Sequence, residues 1–308
     1  MSDVAIGSPR VAAVVMNWHG RRQTIECLRS LAAIIHDNLR VILIDNGGSE
    51  FTVAEVRGFN AEGVYIPSLV NQGFAAGANL GMREALAGGA QYVWFLNNDA
   101  VADPAALSEL LAVAGAPPHP AVVGAKILQR QDPQRIDSIA LGVDLRTGRL
   151  YLTGHDEIDA GQYDGIDGVT AVTGCAMLVS RAACERLRGF DERYFAYLED
   201  ADLCLRARAA GFGVTVAPRA RVLHDRAPAT AQRQSASSLY YTTRNHLRLM
   251  REHGTTDAVA RLLRPAAIMG LNLAYALRGA PGTRAARLRA VLRGVRDYRR
   301  AVTGAGPY

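Results

Sequence analysis

The sequence has little that could staple or anchor it. Cysteine is scarce: Cys27, Cys175, Cys184 and Cys204 are the only four in 308 residues. None forms a CxxC pair or a metal-ligand spacing, which excludes a disulfide scaffold and a zinc module and leaves reduced, mostly core thiols. No apolar run reaches the about 18 residues of a transmembrane helix. Met1–Arg10 lacks the apolar stretch of a signal peptide, so the expected location is cytoplasmic. Lysine is almost missing, Lys126 being the single one, and this arginine bias is given no functional weight. There is neither an internal repeat nor a low-complexity segment. With hydrophobic residues at 49% and charged residues at 21%, wholesale disorder is excluded too.

What is present is strand–helix alternation, in a chain long enough for one large α/β domain or two small ones. Val11–Met16, Val41–Ile44 and Tyr92–Leu96 are short apolar runs of buried-strand type, and Val64–Ile66 is a weaker one. Helices are expected over Arg21–Ile35 and Ala75–Leu86, and another opening at Asp103-Pro104, with Asp as cap and Pro in the first turn. Such a pattern predicts a mainly parallel sheet covered on both faces, with ligands beyond the carboxyl ends of the strands. Those ends carry Asn17, Asp45 and Asn97-Asn98-Asp99. Further on, Arg146–Arg149 reads as a hairpin turn, Val169–Val179 as a long strand, Glu199–Ala210 as a helix and Gly213–Val216 as a strand. Residues 235–308 read as almost wholly helical.

Charge divides the chain. Residues 244–308 carry 13 arginines against three acids, whereas the preceding residues are net acidic. A basic block of this kind suits an anionic surface. Thr283–Val302 places Leu288, Val291, Leu292, Val295 and Val302 on one helical face with arginines opposite. This is either a helix lying on an anionic membrane or a packed helix with a solvated basic face. Nucleic acid is not expected, since no recognition motif accompanies the charge.

Each polar candidate has a structural reading beside its chemical one. Asp45 either accepts from a nucleobase N–H or closes a turn in Asp45–Ser49. The small-residue loop Asn71–Gly81 leads into a helix and either admits phosphate or packs tightly on the sheet; it is neither a P-loop nor GxGxxG. Asp99 offers a hard oxygen to magnesium or manganese, or serves a turn. Glu199-Asp200-x-Asp202 opens a helix, where acids favour the dipole but also suit general-base work. Arg206, four residues beyond Asp202, reads as its surface ion pair. His224 gains interest only beside a second metal ligand.

Together these segments resemble glycosyltransferase family 2, the inverting enzymes of GT-A fold, and within it the rhamnosyltransferase-like branch. The matching stretches are VAAVVMNWHGRRQTIECLRSL, VILIDNGGS, NQGFAAGANLGMREAL, YVWFLNNDA, VTGCAMLV, GFDERYFAYLEDADLCLRARAAGF and YYTTRNHLRL, in family order over roughly residues 10–250. The resemblance implies a Rossmann-like, mainly parallel α/β sheet over residues 1–234, with a nucleotide-sugar half at about 10–99 and an acceptor and catalytic half at 100–234. A helical basic extension, 235–308, follows. It implies donor contacts from Asn17, Asp45, Gly77, Asn79, Asn97 and Asp99, acceptor contacts from Thr173 and Gly174, and a divalent metal, manganese or magnesium, on Asp99 and His224. Asn97 stands where a DxD-type motif has its first acid, which implies weaker metal binding. Asp200 matches the catalytic base, with Glu199 positioning the acceptor or tuning that base. Tyr240, Arg244 and Asn245 match a signature with no assigned role.

The activity implied is transfer of a sugar, rhamnose from dTDP-rhamnose in first place, to a hydroxyl of a glycan or lipid-linked acceptor of the cell envelope. The basic extension would then make peripheral contact with the inner face of the membrane. The alternatives are a soluble enzyme that decorates a small molecule, its extension packing a homodimer, and a nucleotide-binding scaffold without catalysis.

Overall fold

A computed structural model describes residues 8–225, 235–278 and 281–308. The first third alternates as the apolar runs predict: β1 (Val11–Asn17), α1 (Arg21–Ala32), β2 (Leu39–Asn46), α2 (Val53–Phe59), β3 (Val64–Ser68), α3 (Gly73–Ala87) and β4 (Tyr92–Asn97). Strands β3, β2, β1 and β4 lie side by side and parallel. Side chains alternate between two cores, as the pleat requires. Val14, Ile42 and Phe95 pack beneath α3, while Ala13, Val15, Leu43 and Trp94 meet Leu28 and Leu31 of α1.

Beyond β4 come β5 (Ala100–Ala102), α4 (Ala106–Gly115), β6 (Val122–Gln129), β7 (Ile136–Ser138), β8 (Leu141–Val143), β9 (Leu150–Leu152), β10 (Ala176–Ser180), α5 (Arg181–Leu187), α6 (Glu199–Ala209) and β11 (Val214–His224). The sheet order is β3-β2-β1-β4-β10-β6-β11-β5, with β7 on β6. Here the sheet turns mixed: β10 runs antiparallel to both β4 and β6, and β11 runs parallel to β6. The mainly parallel expectation holds: β3, β2, β1, β4, β6 and β11 run in one direction, and β10, β5 and β7 run against them. β10 enters after a long excursion rather than a βαβ crossover, so nothing forces it parallel. Its start therefore lies at the edge where β4 ends, and β6 and β11 end there as well.

Several boundaries differ from the sequence reading. The long strand expected over Val169–Val179 is cut to Ala176–Ser180, because the Gly174 amide is turned away from the ladder to Asp200. Asp103 holds a turn through the Ala105 amide, and α4 begins at Ala106. β11 runs on to His224 past a register shift between Ala217 and Arg221, where Pro218 is accommodated. The hairpin turn at Arg146–Arg149 does join β8 to β9. All four cysteines are buried and none is in a disulfide.

The C-terminal region forms α7 (Ala236–His253), α8 (Ala258–Leu277) and α9 (Arg284–Arg299). The boundary expected at residue 234 lies outside the described residues. α7 is no appendage: Leu247, Leu249 and Met250 join the core beneath α6 and the sheet, and Leu239, Tyr240 and Tyr241 form a smaller core with α8 and α9. α9 buries Arg287, Ala290, Val291, Gly294 and Asp297 against its neighbours, leaving Leu292 exposed. Of the two readings of this helix, membrane contact and packing with a solvated basic face, its apolar face largely follows the second. No helix of the described residues is long and apolar enough to cross a membrane.

Candidate functional site

The topology gathers the polar strand ends at one edge: β1 ends at Asn17, β2 at Asp45 and Asn46, β4 at Asn97, β11 at His224, while Thr173-Gly174 precedes β10. Hydrogen bonds tie the pieces together. The Asn97 amide donates to the Cys175 carbonyl (2.9 Å), and Asn98 Nδ2 donates to Thr24 Oγ1 (3.0 Å).

At the β1–β2 end, Asn17 is buried and fully engaged. Its Nδ2 donates to Asp45 Oδ1 (2.8 Å) and Glu50 Oε2 (2.7 Å), and its Oδ1 accepts from Thr24 Oγ1 (2.8 Å) and the Gly20 amide (3.2 Å). Asp45 is buried too, its Oδ2 accepting from the Glu50 amide (2.5 Å) and from Tyr65 Oη (3.0 Å). Burial and the Asp45 carboxylate push the Tyr65 hydroxyl up to about 12, so it remains a donor. The turn-closing reading of Asp45 is therefore realised in the structure. Thr24, Glu50, Tyr65 and Asn98 belong to this network, and the sequence assigns them no role.

Gly77 and Asn79 do not open to this edge. A Cβ on Gly77 would meet the Met16 side chain, and one on Gly81 would meet Val14, so both glycines let α3 pack on β1. Asn79 is buried: Nδ2 donates to the Phe190 carbonyl (2.9 Å) and to Glu192 Oε1 (3.0 Å), and Oδ1 accepts from the Phe190 amide (2.8 Å). The donor contacts expected of these two are replaced by helix–sheet packing and a tie to the loop after α5, because both sit on the inner face of α3.

Asp99 and His224 do meet. β5 pairs with β11 so that Ala100 lies opposite His224, which brings Asp99 Oδ1 within 3.3 Å of His224 Nε2. That oxygen is buried and has no hydrogen bond closed on it. The other ring nitrogen, Nδ1, lies 2.9 Å from Asp137 Oδ2 on β7. Burial works against charge on this ring, but the Asp137 and Asp99 carboxylates outweigh it and raise its pKa to about 9. An orphaned hard oxygen beside an imidazole whose far nitrogen is held by a carboxylate is the donor set of a divalent metal site. These residues fit manganese or magnesium, with Asp99 and His224 as ligands. Asp137 was not apparent from sequence, being a lone acid between Ile136 and Ser138.

A second cluster, Asp202, Glu252 and His253, brings three such groups together. It is already satisfied as an ion-pair network. Asp202 accepts from His253 Nε2 (2.8 Å) and Arg206 Nε (2.6 Å), and Glu252 lies 3.2 Å from Arg193. Asp202 is buried, so its pair with Arg206 within α6 is not the surface pair expected, and His253 ties the same carboxylate to α7.

Asp200 stands in the first turn of α6. Its Oδ2 accepts from the Gly174 amide (2.9 Å) and its Oδ1 from the Ala201 amide (2.7 Å). Burial raises the pKa of Asp200, while those amides oppose the rise. Burial, and then the Asp200 charge, raise Glu199 well above the usual carboxylate range, and its buried Oε2 has no partner. The amides therefore place the negative charge of the pair on Asp200 and leave Glu199 favoured as the neutral acid. Thr173 sits beside them, half-buried.

The loop leading to Asp200 is strained and clamped. Phe195, Tyr197 and Leu198 have φ of +67°, +71° and +68°. The Ala196 amide donates to the Tyr194 carbonyl (2.8 Å) across Phe195, whose ψ of −64° makes this a γ-turn of the rare hand. Asn245 Nδ2, fully buried on α7, faces the carbonyls of Tyr194 (2.9 Å), Ala196 (2.8 Å) and Tyr197 (2.9 Å). Arg244, also fully buried, donates to the Tyr194 carbonyl (2.9 Å) and to Asn245 Oδ1 (3.0 Å). Phe195 stacks on Tyr241, and its carbonyl accepts from Ala75 of α3. The signature residues of α7 thus grip the segment that presents the carboxylate pair.

A mixed sheet that gathers a carboxylate–imidazole pair and a buried carboxylate at one edge is the architecture of a GT-A type fold. The model of the glycosyltransferase-like family 2 matches residues 9–251, and the chain belongs to that family. Among curated relatives, the N-acetylglucosaminyl-diphospho-decaprenol L-rhamnosyltransferase of Mycobacterium tuberculosis is 46% identical over 68 residues, 22% of each chain. Galactofuranosyltransferase GlfT1 of Mycolicibacterium smegmatis is 34% identical over 146 residues, covering 46% of this chain and 45% of the other. The matches thus span less than half of these relatives' lengths. Among solved structures, TarS of S. aureus superposes with a TM-score of 0.58 at 14% identity, over 95% of this chain and 81% of the other. A mannosyltransferase from Pyrobaculum calidifontis, in complex with GDP-Man and Mn2+, gives 0.57 at 14% identity, over 96% and 86%. These two likenesses show the fold.

Proposed function

We propose that the protein is an inverting glycosyltransferase that moves a sugar from a nucleotide-sugar to a hydroxyl of a glycan or lipid-linked acceptor in cell-envelope synthesis. Rhamnose from dTDP-rhamnose is the first donor to test, supported by the relative named a rhamnosyltransferase. The observation that carries the reading is the Asp200–Glu199 pair, with charge directed to Asp200, at the edge that also holds Asp99 and His224.

In this mechanism Asp200 Oδ accepts the proton of the acceptor hydroxyl as that oxygen attacks the anomeric carbon, and the bond to the nucleoside diphosphate breaks on the opposite face. Burial raises the basicity of Asp200, and the Gly174 and Ala201 amides fix its orientation. Glu199, as the neutral acid, donates to an acceptor oxygen without competing for the proton. Thr173 and Gly174 border the acceptor. Asp45 and Asn97 face the donor, and Asn17 acts by holding Asp45. Asp99 and His224 would hold manganese or magnesium, which supplies positive charge against the donor diphosphate. The enzyme would work at the inner face of the membrane, in peripheral contact through its basic C-terminal helices.

The test is Asp200→Asn with donor binding and transfer read separately. Transfer should fall by about 10²–10⁴-fold, while titration calorimetry with nucleotide-sugar and manganese stays within about twofold. Loss of donor binding would make Asp200 structural. Product of unchanged anomeric configuration would refute inversion.

A further inference from the structure

Helix α8 is amphipathic the wrong way round for a packing helix. The residues it buries form a single stripe, Arg264, Ile268, Asn272 and Ala276, two of them polar. Arg264 is 5% exposed and Asn272 3%, whereas Leu262 is 78% exposed and Leu263 59%. Val259, Leu271, Tyr275 and Leu277 are exposed as well. The buried polar pair is satisfied by backbone: Arg264 donates to the Leu145 and Thr255 carbonyls, and Asn272 to the Ile268 carbonyl. No charged residue lies between Arg264 and Arg278. That uncharged stretch is 13 residues, about 20 Å of helix, too short to cross a bilayer of about 30 Å.

The flank of this face is basic. Met269 of α8 joins Leu292 and Val295 of α9 in a shallow groove of about 340 Å³ bordered by Arg296, Arg299 and Arg300. An exposed apolar ridge with arginines beside it matches acyl chains and headgroup phosphates together. A second copy of this chain fits poorly. A twofold contact would set the same arginine-rich surface, 13 arginines against three acids over residues 244–308, against itself.

We infer that the exposed face of α8, with Arg296 and Arg299 of α9 and Arg300 just beyond it alongside, is the docking surface for a bilayer containing anionic phospholipid. α8 supplies the apolar contact that the sequence placed on α9. The inference rests on the proposed function only for its purpose, bringing the site to a lipid-linked acceptor; the surface itself is carried by α8 and α9.

The experiment is co-sedimentation of the full chain with vesicles of phosphatidylcholine alone or with 30 mol% (about one third) phosphatidylglycerol. Three proteins are compared: wild type, Leu262→Glu/Leu263→Glu and Arg299→Glu/Arg300→Glu. Both pairs change exposed side chains, and circular dichroism verifies the fold. Wild type should prefer the anionic vesicles by about tenfold or more, because each arginine near such a surface contributes roughly a factor of five. Both variants should lose at least about tenfold, and inorganic phosphate at matched ionic strength should not displace the protein. Equal binding to both vesicles, or no binding at low salt, overturns the inference. So does displacement by inorganic phosphate, which would make the groove a phosphate site. Sedimentation velocity showing a dimer that Leu262→Glu/Leu263→Glu disperses, without vesicle binding, would give the face to a second copy. Calorimetry with nucleotide-sugar on the same proteins reports separately on the proposed function, so the failure of one is not mistaken for the failure of the other.

Discussion

The most informative perturbation is Asn245→Ala, remote in sequence from the carboxylate pair it steadies. Three non-glycine residues before Glu199 hold φ near +70°, each at a cost of roughly 1 kcal/mol or more. About 3 kcal/mol of strain is thus stored in the four residues Phe195–Leu198. The Asn245 amide faces three carbonyls of that loop, that of Tyr194 buried and those of Ala196 and Tyr197 part-buried, and leaving such a carbonyl without a donor costs about 1 kcal/mol or more. Arg244 still serves the Tyr194 carbonyl, so the loss falls mainly on Ala196 and Tyr197 and comes to about 2–3 kcal/mol. Strain and clamp are therefore of similar size, and removing the clamp lets the loop relax. Asp200 then drifts from the Gly174 amide.

The expected result for Asn245→Ala is a fall in kcat of about 10², the scale of an ångström-level misplacement, with KM for the donor little changed. Loss of the amide bond that opposes the burial of Asp200 should also move the acid limb of the kcat–pH profile upward. Asn245→Asp has nearly the same shape but cannot donate, so it should behave like the alanine variant. A lower Tm with kcat and acid limb unchanged in both would refute the argument and reduce Asn245 to ordinary stabilisation.

Three further outcomes are expected. Asp137→Asn should weaken manganese binding by about 10–100-fold, read by electron paramagnetic resonance of free Mn2+; an unchanged affinity would remove Asp137 from the support of His224. His246, buried beside the Gly148 carbonyl, has its pKa lowered to about 4 by burial. Above pH 6.5 the ring is neutral folded or unfolded; below that the unfolded chain takes up a proton that the folded one refuses, so stability is lost as pH falls from about 6.5 to about 4, by up to about 3 kcal/mol from this group. Urea unfolding should show a shallower acid dependence in His246→Gln, and parallel curves would contradict the assignment. Gly81→Ala, pressed on β-branched Val14, should lower stability by about 1–3 kcal/mol, more than Gly77→Ala, which meets the flexible end of Met16; the reverse order in thermal unfolding would exclude this packing account.

Where a residue's role follows from its strand, the sequence disclosed it. Short apolar runs marked β1, β2 and β4, and the polar residues ending them could only fall at the carboxyl edge. Asp99 and His224 were legible as a pair only through the family resemblance, and the pairing of β5 with β11 is what brings them together. Roles depending on another element's placement were not. Asp137 matters only because β7 folds back on β6. Asn79 lies in a loop-like motif, yet its side chain points inward once α3 begins at Gly73. Arg244 and Asn245 were visible as a signature without a function, since their partners are backbone carbonyls 48 to 60 residues away.

Helix periodicity carries a deeper ambiguity, which α8 and α9 expose together. A periodic pattern states that two faces differ, but not which one meets the protein. In α9 the arginine-rich helix packs through Ala290, Val291 and Gly294, with Arg287 reaching the Tyr275 carbonyl and Asp297 accepting from Tyr240. In α8 the apolar residues face outward, because Arg264 and Asn272 find carbonyl acceptors that no sequence pattern encodes. A buried arginine is tolerable only where such acceptors are already in place, here in the β8–β9 turn at Leu145 and at Thr255. Once that inner face is fixed, the leucines have no remaining place inside and stand on the surface of the fold.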